Sequence, residues 1–327
     1  MNLYHWQPGL TARLIRGIGD GIAARRRGAG RLCILNYHRI LGEPDPMLTE
    51  EPALPTFRWQ MQLLAECFNV LPLPQALAAL AAGKVPPRAV CITFDDGYRS
   101  VHDLALPVLR EFGLAATVFV TTGYLGSGNM WNERIIDSVR RLPEGPLDLG
   151  AVGLAPRMLA TDDERRQLLE DLTQRAKYLP PDERLALTEE LETLAGAHAT
   201  ESLMLTPDMI RNLAASGVEI GGHTVSHPIL SRVDDASACF EIERCKRDLE
   251  AVTGTPVRYF AYPNGKPGLD FESRHAAMAR AAGYEAAFST AAGAASARHD
   301  LFQLPRSSPW DTTPMLYALR LLRWLAQ

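Results

Sequence analysis

Short apolar runs, many of them rich in β-branched residues, alternate along the chain with segments whose apolar residues repeat at helical spacing. The strand-like runs cover residues 31–38, 68–73, 89–94, 115–122, 218–222, 256–263 and 284–290. The helical segments among them include residues 74–83, 101–112, 235–253 and 271–283. Continuous apolar strands that alternate with helices are typical of a parallel sheet covered by helices. The pattern predicts an α/β fold of seven or eight βα-type units, and a single barrel-like domain fits it better than two domains.

A stretch without strand-like runs interrupts this alternation between about residues 130 and 205. Thr161 and Glu164 have the spacing of a helix-capping box, and leucines at helical spacing follow them. We expect a helical insertion with no strand of its own, acting as a lid or packing element; a substrate-shaping or partner-binding role is the alternative. Residues 1–30 are predicted to be an N-terminal extension, which leaves residues 31–327 as one domain containing this insertion.

The N-terminal extension carries an amphipathic stretch and a basic cluster of Arg25, Arg26 and Arg27. A surface helix with a solvated basic end is the favoured interpretation, and weak attachment to an anionic membrane surface is the second. No apolar run approaches the roughly 18–20 residues that span a bilayer, and no apolar stretch precedes a small-residue cleavage site. The sequence therefore predicts neither a transmembrane helix nor a signal peptide. We expect a cytoplasmic protein, with peripheral contact to the inner face of the membrane as the second interpretation.

The composition is that of an ordinary soluble globular protein, with 46% hydrophobic and 22% charged residues. A net charge of −4 does not indicate nucleic-acid binding. The five cysteines are widely spaced and form no CxxC pair. We therefore predict reduced thiols in a reducing compartment, and any metal site must depend on histidine and aspartate.

Two adjacent carboxylates, Asp95 and Asp96, follow the apolar run 89–94. In an α/β barrel the chemistry collects at the carboxyl ends of the strands, where neighbouring residues point in different directions. One carboxylate can then ligate a metal ion while the other faces the substrate. An Asp-Asp-Gly turn without a catalytic role is the alternative.

Two histidines four residues apart, His223 and His227, follow another strand-like run. Such a pair can bind one metal ion. Thr224 stands where the HExxH motif of zinc proteases requires Glu, which excludes that motif. Pro228 disfavours an α conformation at His227, so we expect the pair on a loop at a strand end.

A third polar group surrounds Arg258, which lies within the apolar run 256–263. A buried arginine needs a carboxylate partner, and Asp95 is an available one. The run ends in the turn Tyr262-Pro263-Asn264-Gly265, whose backbone N–H groups can face a reacting oxygen. A plain turn is the alternative.

These features combine into one predicted mechanism. Asp96, His223 and His227 form a two-histidine, one-carboxylate site with open positions. Zn²⁺ or another divalent ion there polarises an acyl oxygen and acidifies a bound water, and Asp95 beside it is the general base. The predicted reaction is metal-assisted hydrolysis of an amide or an ester.

The motifs TFDDG (93–97), HTVSH (223–227) and RYFAYP (258–263) resemble, in this order, those of the polysaccharide deacetylases of carbohydrate esterase family 4, the NodB-homology fold. The resemblance covers roughly residues 31–125 and 205–310. It implies a distorted (β/α) barrel. It also implies metal-dependent removal of acetyl groups from N-acetylated sugars of a glycan or glycan precursor.

The resemblance also implies roles for single residues. Asp95 is the general base, Arg258 orients it, and the three metal ligands are those named above. The backbone N–H of Asn264 helps to hold the oxyanion, although the family usually has Tyr at this position. That difference leaves the backbone role intact and affects only side-chain contacts.

The catalytic acid departs from the commonest family pattern. Many members supply it from a C-terminal Leu-x-His motif, which Arg298-His299-Asp300-Leu301 matches poorly. A circularly permuted subgroup, resembling biofilm poly-N-acetylglucosamine deacetylases, carries the acid in an N-terminal Tyr-His motif, and Tyr37-His38 is similar to it. We therefore expect His38 to protonate the leaving amine; a structural histidine at a strand end is the alternative.

Tyr262, Pro263 and Trp131 are the expected substrate contacts, Trp131 as a wall on which a sugar ring stacks, with core packing as its alternative. A weaker indication is that the segment 304–310 places Arg306 near the barrel mouth. Two other functions stay open. One is a non-catalytic carbohydrate-binding relative, and the other is hydrolysis of an O-acetyl ester or a non-sugar amide.

Overall fold

The computed structural model describes residues 6, 9–25, 30–126, 128–196, 201–308 and 311–327. Its strands are β1 (Leu32–Tyr37), β2 (Asn69–Val70), β3 (Ala89–Phe94), β4 (Thr117–Val120), β5 (Gly145–Leu147), β6 (Arg157–Leu159), β7 (Glu219–Gly222), β8 (Tyr259–Ala261) and β9 (Ala286–Phe288). Its α-helices are α1 (Leu10–Arg25), α2 (Leu54–Cys67), α3 (Leu73–Ala81), α4 (Leu106–Glu111), α5 (Trp131–Arg141), α6 (Asp162–Lys177), α7 (Pro181–Ala195), α8 (Pro207–Ala215), α9 (Asp235–Thr253), α10 (Ser273–Ala281) and α11 (Pro314–Ala326).

Seven strands form one sheet in the order β1-β3-β4-β7-β8-β9, with β2 beside the amino half of β3. All neighbouring strands in this sheet are parallel. Every residue of β1 and β3 is buried, as expected for parallel strands covered on both faces. The alternation of strands and helices predicted from the apolar pattern is confirmed, although several strands are shorter than the runs that predict them.

A segment without regular structure joins the two edges of this sheet. Leu304 bridges Phe288 of β9, and Ser307 bridges Leu35 of β1, both in the parallel sense. Inside the curled sheet, the rings of Phe119 and Phe288 approach to 5.4 Å between centroids. The strands therefore form a distorted barrel, and the predicted fold class is confirmed.

The insertion follows β4 and has a core of its own. Helices α5, α6 and α7 enclose a set of buried aliphatic side chains that includes Ile135, Val139, Leu168, Leu172 and Leu191. The predicted capping box of Thr161 and Glu164 begins α6. The prediction that the insertion contains no strand is wrong, because β5 and β6 pair as an antiparallel hairpin. Each has three residues and no β-branched side chain, so neither leaves a strand signal in the sequence.

The first and last helices lie together on the outside of the barrel. Helix α1 packs against α2 and α11 and buries Ala12, Ile15 and Gly19. Of the basic cluster that follows it, Arg26 and Arg27 lie outside the described residues. Within the described ranges, no helix combines the length and the apolar character needed to cross a membrane.

Candidate metal and catalytic centre

The predicted site residues collect at one edge of the barrel. His38 follows β1, Asp95 and Asp96 follow β3, His223 follows β7, and Asn264 lies just beyond β8. The carboxyl ends of parallel strands meet at a common edge of the sheet. These loops therefore lie together at this end of the barrel, which we call the mouth.

Asp96, His223 and His227 form a buried cluster whose candidate ligand atoms all lie within 4.8 Å of one another. Nε2 of His223 is 3.4 Å from Oδ1 of Asp96, and Nε2 of His227 is 3.3 Å from the same oxygen. The structure thus brings together the three residues that the sequence groups as metal ligands.

The donor atoms of this cluster fit a divalent metal ion. Oδ1 of Asp96 is buried and has no hydrogen-bond partner among the described residues. The two nearby ring nitrogens are farther away than an ordinary hydrogen bond requires, so the oxygen is left for a cation. Two imidazoles and one carboxylate are the ligands of sites that hold Zn²⁺ or another divalent ion and keep open positions.

The pKa values of the two histidines shift in opposite directions. Burial lowers the pKa of His227 to about 3, so its ring is neutral and keeps a free lone pair at ordinary pH. Burial also acts to lower the pKa of His223, but the charges of Asp95 and Asp96 outweigh it and raise that pKa. Nδ1 of His223 lies 2.7 Å from the carbonyl oxygen of Ala261. Donation to this carbonyl places the proton on Nδ1 and leaves Nε2 facing the aspartate.

Glu241 of α9 holds the loop that carries both histidines. Its Oε2 accepts hydrogen bonds from the backbone N–H groups of Val225 at 2.7 Å and Ser226 at 2.8 Å. Its Oε1 accepts from Oγ of Ser226 at 2.6 Å. Sequence reasoning missed Glu241, because a glutamate in the middle of a helix carries no local signal of a bond to a distant loop.

Asp95 forms a buried two-point ion pair with Arg306. Nη1 is 2.6 Å from Oδ1, and Nη2 is 2.7 Å from Oδ2. Nη1 also donates to Oδ1 of Asn36 and Oγ1 of Thr93, each at 3.2 Å, which fixes the guanidinium. Burial acts to raise the pKa of Asp95, but the charge and hydrogen bonds of Arg306 outweigh it and hold that pKa below its ordinary value. The carboxylate is therefore ionised and oriented at neutral pH.

Arg258 does not reach Asp95, and the prediction that it orients this carboxylate is wrong. Nη2 of Arg258 instead lies 3.1 Å and 3.0 Å from the two carboxylate oxygens of Glu219. Arg258 precedes β8 and Glu219 begins β7, so both lie at the amino edge of the sheet. Asp95 follows β3 at the opposite edge, where the segment that closes the barrel supplies Arg306.

Backbone strain concentrates in the loops of this site. The described non-glycine residues with positive φ are Arg88, Asp96, Thr224, His227 and Asn264. Four of these five belong to the mouth, including Asp96 at +71° and Asn264 at +56°. Such conformations cost about 1–3 kcal/mol each and persist where the surroundings impose them, which is common at functional sites.

At the turn after β8, Asn264 faces the barrel mouth, whereas Tyr262 points into the core. The ring of Tyr262 stacks on Phe271 at 3.7 Å between centroids, and its hydroxyl donates to the carbonyl of Phe302 at 2.9 Å. The prediction that Tyr262 contacts substrate is wrong, because its side chain is fully buried in the apolar core. Pro263 is also buried and shapes the turn. The backbone N–H and Nδ2 of Asn264 have no hydrogen-bond partner among the described residues.

His38 is half-buried beside the two carboxylates. The carbonyl of the preceding Tyr37 accepts the backbone N–H of Asp95 at 2.8 Å, which ties the two strand ends together. Burial acts to raise the pKa of Asp95 and of Asp96, and the charge of His38 is among those that lower both values. This position suits a proton donor, and the role of His38 as the acid stays a prediction.

Trp131 is not an open wall for a sugar ring. It is 8% exposed and packs in the core of the insertion. The guanidinium carbon of Arg184 lies 5.0 Å from the centroid of its ring. The prediction of a stacking surface is wrong, because one ring face is covered by this cation and the rest of the side chain is buried.

Comparison with known families agrees with this fold. The model of the family described as polysaccharide deacetylase matches residues 82–180 and 183–287, more than half of the chain. The chain therefore belongs to the polysaccharide deacetylase family.

Among curated proteins, the chain is similar to the poly-beta-1,6-N-acetyl-D-glucosamine N-deacetylase of Staphylococcus epidermidis. The two are 30% identical over 127 residues, which cover 34% of this chain and 42% of that protein. The protein of the same name from Staphylococcus aureus is 37% identical over 62 residues, covering 19% of this chain and 21% of its own. The matches thus span less than half the length of these relatives.

Two solved structures share the fold over most of the chain. The Streptococcus pyogenes deacetylase PplD in complex with acetate has a TM-score of 0.59 at 19% identity, covering 90% of this chain and 98% of its own. IcaB from Ammonifex degensii has a TM-score of 0.55 at 19% identity, covering 91% and 98%. At these identities the likeness shows the fold.

Proposed function

We propose that this protein is a metal-dependent hydrolase that removes acetyl groups from the N-acetylated sugars of a glycan or glycan precursor. The proposal depends most on the different surroundings of two adjacent carboxylates, Asp95 and Asp96. Asp95 is paired with Arg306 and ionised, whereas Oδ1 of Asp96 faces two histidines and has no hydrogen-bond partner among the described residues. Membership of the polysaccharide deacetylase family, and the names of the two curated relatives, support the choice of an N-acetylated glycan.

The residues of the chain divide the proton transfers between them. A divalent ion held by Asp96, His223 and His227 would polarise the acyl oxygen and acidify a water molecule. Asp95 takes the proton of the attacking water, because its ion pair keeps it ionised and in place.

Residues of the neighbouring loops stabilise the negative charge and protonate the leaving group. The unpartnered backbone N–H of Asn264 donates to the oxygen on which negative charge develops. His38 gives a proton to the amine nitrogen as the carbon–nitrogen bond breaks. The products are acetate and a free amino sugar.

The test is acetate release from matched substrates by protein loaded with Zn²⁺. We expect release from N-acetylglucosamine oligomers, and a roughly 10²–10⁴-fold loss in Asp95→Asn. Asp208→Asn is the matched control, because Asp208 is exposed and, among the described residues, pairs only with Arg211 of its own helix. Equal rates in Asp95→Asn and the wild type would remove Asp95 as the base. Release only from O-acetyl esters would make the protein an esterase, and saccharide binding without turnover would make it a binding protein.

We also propose peripheral attachment to an anionic membrane surface, with the barrel on the cytoplasmic side. The outer faces of α1 and α11 expose large apolar side chains, namely Leu10, Leu14, Ile18, Met315, Leu316 and Leu319. Exposed arginines on the same helices are Arg13, Arg16, Arg25 and Arg323. Apolar side chains flanked by cations suit the interface of an anionic bilayer. All five cysteines are free thiols, which supports a reducing compartment.

Vesicle sedimentation tests this attachment. We expect binding to phosphatidylglycerol vesicles, weaker binding to phosphatidylcholine, and loss of binding in the double variant Leu14→Glu, Leu316→Glu. Phe240→Glu is the control, since Phe240 is exposed on α9, away from these two helices. Binding that is equal for both lipids, or unchanged in the double variant, contradicts the proposal.

A further inference from the structure

Arg184 of α7 is a buried cation that forms no direct ion pair with the described residues. The residue is 6% exposed, and among the described residues its guanidinium makes neither an ion pair nor a hydrogen bond. The guanidinium carbon lies over the ring of Trp131, 5.0 Å from its centroid. The five N–H donors of the guanidinium are therefore left for water or a ligand. A partly desolvated charge gains stability from an anionic partner.

Arg184 lies near the metal cluster. Its neighbour Trp131 begins α5, and Nδ2 of the next residue, Asn132, donates to the hydroxyl of Tyr98 at 3.1 Å, two residues beyond Asp96. The hydroxyl of Tyr124 donates to the carbonyl of Ser226 at 3.3 Å, within the loop between the two metal-binding histidines. The insertion thus brings a cation to the side of the mouth where these histidines lie.

The other buried arginines at the mouth already have partners. Arg306 is paired with Asp95, and Arg39 is paired with Glu133 of α5. Both carboxylate oxygens of the nearby Glu241 accept hydrogen bonds from the histidine loop. Of the buried arginines at the mouth, only Arg184 lacks a direct carboxylate partner among the described residues.

We propose that Arg184, held over Trp131, binds an anionic oxygen group of the substrate, a carboxylate or a phosphate close to the sugar that loses its acetyl group. This inference rests on the proposed function, since it places the acetamido group at the metal cluster. A planar guanidinium can donate two parallel hydrogen bonds to either group, and the contact with the indole restricts its movement. The substrate class is therefore an acidic N-acetylated glycan or a phosphorylated precursor.

Substrate preference tests the site. The value of kcat/KM for acetate release is compared for a neutral N-acetylglucosamine oligomer, an oligomer that alternates N-acetylglucosamine with a uronic acid, and N-acetylglucosamine 1-phosphate. We expect at least one anionic substrate to exceed the neutral one by roughly tenfold to hundredfold. The better of the two identifies the carboxylate or the phosphate as the recognised group.

Variants separate this role from a structural one. Arg184→Met should bring the ratio of anionic to neutral kcat/KM close to one, mainly through KM for the anionic substrate, and Arg184→Lys should keep part of the preference. Arg175→Gln, an exposed arginine of α6 in the same insertion, should keep the wild-type ratio. If Arg184→Met fails to fold in a thermal melt, Arg184→Lys decides. A wild-type ratio near one, or a ratio that neither variant changes, overturns the proposal.

Binding measurements keep this test apart from the test of catalysis. Calorimetry with Asp95→Asn protein and the acidic oligomer or the sugar phosphate should detect binding that Asp95→Asn, Arg184→Met protein loses. If no acetate is released but this binding persists, the proposed function fails and the anion site stands. If acetate is released but both proteins bind the anions equally, the anion site fails and the proposed function stands.

Discussion

Arg306 grips both carboxylate oxygens of Asp95, at 2.6 Å and 2.7 Å, across 211 positions of sequence. The arginine belongs to the segment that joins the last strand of the barrel to the first. The segment that closes the barrel therefore also orients the general base.

This relationship predicts opposite outcomes for two arginines. Arg306→Gln leaves Asp95 buried and unpaired, so the pKa of Asp95 should rise and the rate of acetate release should fall. The free energy of unfolding should fall by about 3–5 kcal/mol. Arg258→Gln should change activity little, because Arg258 pairs with Glu219 at the other edge. Acetate-release rates and chemical denaturation of both variants check this; a larger loss of activity in Arg258→Gln would contradict the assignment.

The pH profile gives the sign of the same effect. The pKa of Asp95 is depressed, so the base is ionised above that value and lost as the pH falls through it. The same depression stabilises the fold at neutral pH, and this contribution disappears on acidification through the folded-state pKa. Arg306→Lys keeps the positive charge but cannot form the two hydrogen bonds to Asp95. In this variant the fall of kcat/KM on the acid side of the pH profile should move to higher pH. An unmoved limb would show that another group controls it.

Metal binding should stabilise the folded protein. A ligand that binds only the folded state raises the free energy of unfolding by an amount that grows with its concentration. Adding Zn²⁺ to metal-stripped protein should raise the melting temperature of the wild type and of the surface control Asp208→Asn. The rise should vanish in Asp96→Asn, and an equal rise in this variant would place the metal elsewhere.

Glu241 should act on the metal site only through the histidine loop. Glu241→Gln replaces a carboxylate that accepts three hydrogen bonds, two from backbone N–H groups, and should weaken zinc affinity by roughly 10–100-fold. Excess zinc should restore most of the kcat. Glu243→Gln, an exposed neighbour on the same helix, is the control. A kcat that stays low at saturating zinc would contradict a purely positioning role.

The role of His38 can be tested through the leaving group. An amine must be protonated to leave, whereas the phenolate of an activated aryl acetate leaves without a proton. His38→Gln should therefore lose roughly 10²–10⁴-fold in activity on an N-acetylated sugar and much less on the aryl acetate. Equal losses on both substrates would indicate a structural histidine.

The residues that the sequence could predict are those next to apolar runs. Asp95, Asp96 and His223 follow strands directly, so the run that predicts each strand also predicts the edge where the side chain lies. Arg258 could not be placed in the same way. The apolar run around Arg258 predicts a strand, but the strand itself begins at Tyr259. Arg258 therefore lies before the strand, at the amino edge of the sheet.

The sequence places Arg306 near the barrel mouth, but contacts that depend on closure of the barrel or docking of the insertion could not be predicted. Arg306 meets Asp95 only when the barrel closes, and Arg184 reaches the mouth only when the insertion folds back upon it. Glu241 binds its loop across a helix-to-loop contact. Each of these contacts depends on the tertiary arrangement, which no local pattern of hydrophobic and polar positions records.

The central claim is that one metal ion at Asp96, His223 and His227 serves a hydrolysis in which Asp95 is the base. The most direct measurement is acetate release from N-acetylglucosamine oligomers as metal-stripped protein is titrated with Zn²⁺. The account predicts that activity rises from near zero and saturates at one equivalent per chain, with no rise in Asp96→Asn. Full activity in the stripped protein, or an equal rise in Asp96→Asn, would contradict it.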